Sequence, residues 1–287
     1  MRKDTRAYKI TLFFVLFFYL GIQVCCAQNA LTEEQWMAKI RNSLEQSRYG
    51  EAINFCNQGL AEHPQSSSLY FLRGVNYYVL DVHDKAEEDY TKALNIDDKL
   101  FVAYMSRAFL YYDQKEYDKA ITDFTQLIEL SPNATSYNNR ASVYRLKGDF
   151  EKARVDYDKA IELDPKDEFY KNRGILYKEN KLYDEAIADF NQAIDLNSEY
   201  ISAYSNRADV YSMQGYYDKA LADYQKALML DEKDYYVWYN LAYHHQLFGY
   251  EQAAIAAWKN FLRYAPLEEK ERADYARTQI KLLGKNT

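Results

Sequence analysis

An all-α solenoid of seven antiparallel helix pairs is the fold this sequence predicts, and three observations predict it. One alanine recurs as Ala52, Ala86, Ala120, Ala153, Ala186, Ala220 and Ala254, with steps of 34, 34, 33, 33, 34 and 34 residues. Such a period is the mark of stacked supersecondary units, each burying its apolar face against the next. Number each repeat so that this alanine is position 20. The apolar positions are then 4, 8 and 11, followed by 17, 20, 24 and 27, and steps of three and four place each set on one helix face. The third observation is that all four prolines (Pro64, Pro132, Pro165, Pro266) fall twelve residues after the alanine, where they end the second helix.

Each position has a packing role. Position 24 holds Cys56, Tyr90, Phe124, Tyr157, Phe190, Tyr224 and Trp258, and position 4 holds Trp36, Tyr70, Tyr104, Tyr137, Tyr170, Tyr204 and Trp238. Position 8 is mostly small (Ile40, Gly74, Ala108, Ala141, Gly174, Ala208, Ala242), as position 20 is, so the two backbones approach closely there. Gly148, Gly215 and Gly249 fall at position 15, between the apolar sets, where a turn is needed. Of 30 tyrosines, 17 occupy four recurring positions, so the tyrosine-rich composition reads as core rather than as a cofactor box. The two 33-residue steps lose their residue in the loops after Pro132 and Pro165.

The ends differ from the repeats. Thr32 followed by Gln35 reads as a capping box opening the first helix. Beyond Pro266, Ala273, Ala276, Ile280 and Leu283 recur at helical spacing, which predicts a capping helix within residues 267–287. At the other end Arg2, Lys3, Arg6 and Lys9 precede the apolar run Ile10–Val24, and Cys25 and Ala27 sit at the −3 and −1 positions of a cleavage site before Gln28. That layout predicts a secretory signal peptide at 1–27 and repeats over 28–266, in an exported, periplasmic or extracellular protein. An uncleaved anchor or an acylated cysteine is the alternative, and only then is a membrane a partner. Without residues 1–27 the net charge is about −10, which opposes binding to nucleic acid. One cysteine, Cys56, then remains, so no disulfide forms within the chain.

This register resembles the tetratricopeptide repeat family, whose signature is an aromatic at 4, a small residue at 8, Tyr at 11, Ala at 20, an aromatic at 24, Ala at 27 and Pro at 32. The segment AYSNRADVYSMQGYYDKALADYQKALMLDEKD (203–234) carries it at nearly every position but the last. Repeats 1 and 7 depart most, with Ser43 and His245 at position 11. The resemblance implies a right-handed superhelix that binds a protein or extended peptide in a concave groove. Positions 2, 5, 9, 12 and 13 of each first helix would line it. They hold an aromatic patch (Phe71, Val75, Tyr78, Met105, Phe109, Tyr112), then Asn138, Arg145, Lys171 and Lys178, then Ser205, Asp209, Tyr239, Tyr243 and Gln246. Some members clamp a terminal carboxylate with Lys at 5 and Asn at 9, but Lys171 is followed by Ile175 at position 9, which excludes that clamp.

Seven repeats and a cap use the whole of 28–287, so the sequence predicts no enzyme, no metal and no cofactor. His244 and His245 fall at inward positions without a third ligand at metal spacing. Cys56 lies at an aromatic core position without a base beside it, and Asn133-Ala134-Thr135 is a lone sequon in a loop. One pattern stands out. Position 7 is Arg73, Arg107, Arg140, Arg173 and Arg207 in repeats 2 to 6, and position 23 of the same repeats is Asp89, Asp123, Asp156, Asp189 and Asp223. A half-buried Arg needs a partner and a carboxylate matches its fork, so a structural Arg–Asp bridge inside each repeat is expected. Two functions follow: a module that captures a partner in its groove, or an assembly scaffold of the cell envelope.

Overall fold

The computed structural model describes residues 31–285, so the signal peptide expected at 1–27 lies outside the described residues. Among them there are fifteen α-helices and no strand. They are α1 (Glu33–Glu45), α2 (Tyr49–Glu62), α3 (Ser67–Val79), α4 (His83–Ile96), α5 (Phe101–Asp113), α6 (Tyr117–Leu130), α7 (Ala134–Lys147), α8 (Phe150–Leu163), α9 (Asp167–Glu179), α10 (Tyr183–Leu196), α11 (Ile201–Met213), α12 (Tyr217–Leu230), α13 (Tyr235–Leu247), α14 (Glu251–Tyr264) and α15 (Lys270–Leu283). Odd-numbered helices up to α13 are the first of each pair. The chain forms two compact units, divided between Lys147 and Gly148.

Each unit is a helix-pair solenoid. In the first, consecutive helices pack from α1 to α7, and α3 also touches α5. In the second, consecutive helices pack from α8 to α15, with α9 touching α11 and α11 touching α13. The capping box at the start of α1 forms, with Gln35 N–H on Thr32 Oγ1 at 3.2 Å and Thr32 N–H on Gln35 Oε1 at 2.9 Å. No helix among the described residues is long and apolar enough to cross a membrane.

The turn inside each pair has one geometry. All seven residues at position 15 are left-handed: Gly148, Gly215 and Gly249, but also Ser47, Asp81, Lys115 and Lys181. Where the helix ends there, a six-to-one backbone bond closes it, as in Leu182 N–H to Tyr177 C=O at 2.9 Å and Tyr216 N–H to Tyr211 C=O at 2.8 Å. Sequence reading finds this turn through its glycines; Ser, Asp and Lys carry no such signal.

The alanines at position 20 are fully buried. Opposite them, a Cβ added at Gly174 would lie 2.7 Å from the Phe190 ring, and one at Gly74 would lie 2.8 Å from the Tyr90 ring. Small residues at position 8 therefore let the large ring at position 24 reach across its own pair. Cys56 occupies that ring position in repeat 1, and burial pushes its thiol up to about 12, leaving it inert.

Candidate functional site

Two networks organise the polar residues of the repeats. In the first, Arg73, Arg107, Arg173 and Arg207 each donate Nε–H and Nη2–H to both carboxylate oxygens of Asp89, Asp123, Asp189 and Asp223, at 2.7–2.8 Å. Arg140 and Asp156 hold the same register, on helices of different units. Each guanidinium also lies 5.5–6.0 Å from the Tyr rings three residues before it and, in repeats 3 to 6, four residues after it.

In the second network the third nitrogen reaches backwards. Nη1 of Arg73 donates to Asn57, that of Arg107 to Thr91, of Arg140 to Thr125, of Arg173 to Asp158 and of Arg207 to Asn191. These five acceptors are position 25 of the preceding repeat, so each arginine ties its own repeat to the one before. The signal was present in the sequence: short acceptors occupy position 25 in repeats 1 to 5, while Gln225 precedes the arginine-free repeat 7. Burial raises the Asp123 carboxyl and Arg107 pulls it back down, with burial prevailing. The bridges consume Arg73, Arg107, Arg173 and Arg207, and no anion is needed to satisfy those four.

The residues expected to line a groove divide into several groups. Phe71, Val75, Tyr78 and Asn138 are buried, which removes them from any open surface. Phe71 packs on the Tyr90 ring at 6.1 Å, and the Tyr78 hydroxyl donates to the Asp113 carboxylate. Met105, Phe109 and Tyr112 are half-buried, with Phe109 edge-on to Phe124 at 5.5 Å. Position 5, and position 9 at Phe109, thus face the core more than the register implies.

The charged stretch is equally engaged. Arg145 and Lys171 are half-buried. Lys178 Nζ donates to Asn206 at 2.6 Å and pairs with Asp209 at 3.1 Å, and Asp209 also accepts from the Tyr224 hydroxyl at 2.6 Å. Ser205 is buried. Tyr239 stands edge-on to Trp258 and Phe261 and lies beneath Arg272 of α15 at 5.6 Å, so the cap covers it. Gln246 bonds Gln279 of the same cap.

One patch stays open. Tyr243 is 54% exposed, and beside it Leu247, one turn along the same face of α13, is 58% exposed. Met213, at the corresponding place on α11, is 57% exposed. The buried neighbours His244 and His245 turn the other way, onto Ser212 and Tyr217. Among the described residues no cluster of His, Cys, Asp and Glu is arranged to hold a metal.

Comparison with known proteins agrees with this architecture. The tetratricopeptide repeat pattern matches residues 101–133, 134–167 and 201–234, and a related repeat pattern matches 175–215. A tetratricopeptide repeat protein from Parabacteroides merdae superposes with a TM-score of 0.71 at 22% identity, covering 87% of this chain and 98% of that one. The C-terminal part of a repeat protein from Cytophaga hutchinsonii superposes with a TM-score of 0.62 at 21% identity, covering 85% of this chain and 99% of that one. At such identities the likeness shows the fold alone. In sequence, neutrophil cytosol factor 2 of Homo sapiens is 40% identical over 68 residues, which span 23% of this chain and only 13% of that protein. The shared period, the helix pairs and these matches together establish that the chain belongs to the tetratricopeptide repeat family, whose fold serves as a protein-interaction scaffold.

Proposed function

We propose that the protein is an exported, non-enzymatic scaffold that holds a protein or extended peptide against the first-helix face of its second unit. The observation that carries this reading is the open patch of Tyr243, Leu247 and Met213. Three large apolar side chains on one face lose free energy to water, and covering them contributes about 25 cal/mol per Å². Aromatic residues of this kind dominate binding energy where they are desolvated. The rest of the expected groove is buried, half-buried, ion-paired or capped, so recognition centres on α11 and α13, which carry its most exposed side chains.

Capture tests the reading. The chain from Gln28 onward is immobilised and exposed to extract of the cells that make it, beside a Tyr243→Asp/Leu247→Asp variant and a control, Val155→Asp, on the exposed face of α8. The expected result is at least tenfold weaker recovery of a defined partner by the first variant, with the control unchanged. Equal recovery by all three would sink the groove reading. Concentration-dependent self-association without any partner would instead favour the envelope-scaffold function. Export is tested separately: intact mass of the extracytoplasmic protein places its first residue at Gln28, whereas a retained Cys26 with acyl mass would mean lipidation.

A further inference from the structure

The joint between the sixth and seventh repeats lacks the arginine bridge. Gln225 stands where repeats 1 to 5 offer a short acceptor, and Leu241 stands where repeats 2 to 6 carry arginine. In its place α13 sets two buried histidines against its neighbours. His244 Nδ1 lies 2.8 Å from Ser212 Oγ on α11, and its ring stacks on Tyr217 of α12 at 4.7 Å with the planes 13° apart. His245 Nδ1 lies 3.0 Å from the Tyr217 hydroxyl. The two imidazoles are 5.9 Å apart, and Phe248 lies against His244 at 5.0 Å.

We propose that this joint is an acid-sensitive latch: protonation of His244 and His245 loosens α13 from α11 and α12, and with α13 the face that presents Tyr243 and Leu247. The cluster holds a neutral imidazole well and an imidazolium poorly. An imidazolium donates from both nitrogens, and His244 Nε2 meets no hydrogen-bond partner among the described residues. Two adjacent cations would repel in a buried site, and unpaired buried charge is costly.

The surroundings offer no compensating anion. From α12 come Tyr217 and Tyr224, and after α13 comes Tyr250 at 6.4 Å from His245. From α11 comes Ser212, while Asp209 of that helix is taken by Lys178 and Tyr224. Neither imidazole forms an ion pair among the described residues. Burial first, then the charge of His245, pulls His244 down to about 4, against a weak opposing pull from the Tyr217 backbone. Burial lowers His245 in the same direction.

Between the ordinary value of 6.5 and the folded value of about 4, the opened joint binds more protons than the closed one, so stability of the joint falls as pH falls through this window. For His244 alone, those two values make opening about 20-fold more favourable at pH 5 than at pH 7. The inference does not depend on the binding reading, since it concerns the joint whether or not a partner docks there.

Hydrogen exchange of the full chain, corrected for the intrinsic pH dependence of exchange, tests it. Amides of α13 to α15 should lose about 20-fold protection from pH 7 to pH 5, while α9 and α10 keep theirs. The His244→Gln/His245→Gln variant should show no such difference. Unchanged protection in the wild type, or the same loss in the variant, would overturn the latch. Should the variant fail to fold, proton NMR titration of the wild-type histidines decides: a His244 midpoint below about 5 supports the latch, and one near 6.5 refutes it.

Discussion

The Arg107 guanidinium lies fork to fork on the Asp123 carboxylate, with both contacts at 2.8 Å and side-chain exposures of 16% and 3%. Its remaining nitrogen holds Thr91 of the preceding repeat at 3.0 Å. Because burial opposes the charges, the bridge specifies geometry more than it adds net stability. Asp123→Ala, which strands a half-buried cation, should cost about 3 kcal/mol. The Arg107→Leu/Asp123→Leu pair should sit much nearer wild type. Thr91→Val should cost about 1 kcal/mol and couple to Arg107 but not to Asp223. Denaturant unfolding measures these three, with the Arg107→Leu and Asp123→Leu single variants closing the cycle; additive losses at Arg107 and Asp123 would show that the contact contributes nothing.

The turn at position 15 makes a second prediction. Lys181 is left-handed with φ of 62°, a conformation glycine adopts freely. Lys181→Gly should therefore stabilise the chain by about 1 kcal/mol. Gly215→Ala, with φ of 83° and open space around the new methyl, should destabilise it by a similar amount. Thermal unfolding of both variants checks the pair of signs, and a destabilising Lys181→Gly would mean the lysine contributes something the backbone geometry hides.

Gly174 tests the helix crossing. Alanine gains about 1 kcal/mol of helix propensity over glycine, but its methyl would lie 2.7 Å from the fully buried Phe190 ring. Overpacking of this kind costs about 1–3 kcal/mol, so Gly174→Ala should be net destabilising by about 1 kcal/mol. A stabilised variant would show that the Phe190 ring is free to move aside.

The fold was legible in the sequence because the same packing problem is solved seven times. The alanine at position 20, the ring at position 24 and the closing proline together average out local noise. The partners of Arg73, Arg107, Arg173 and Arg207 inside their repeats were readable for the same reason: Arg and Asp appear and vanish together. The contact to position 25 was harder to see, since Asn57, Thr91 and Asp158 share a hydrogen-bonding role without sharing a residue type. The groove was read least well. Phe71 and Tyr78 look like surface aromatics by register, but how far a side chain sinks between neighbouring helices depends on packing that no single repeat encodes. Tyr239 was hidden by α15, an element outside the repeat pattern.

The central claim is that a partner docks on the open face of α11 and α13. A photo-crosslinking residue placed at Tyr243, and separately at Val155 on α8, tests it in the cells that make the protein. Both sites are exposed to similar degrees, at 54% and 55%, so solvent access alone does not distinguish them. The account predicts a discrete adduct of higher mass from position 243, absent from position 155. Adducts from position 155 alone, or from both sites in equal yield, would contradict it.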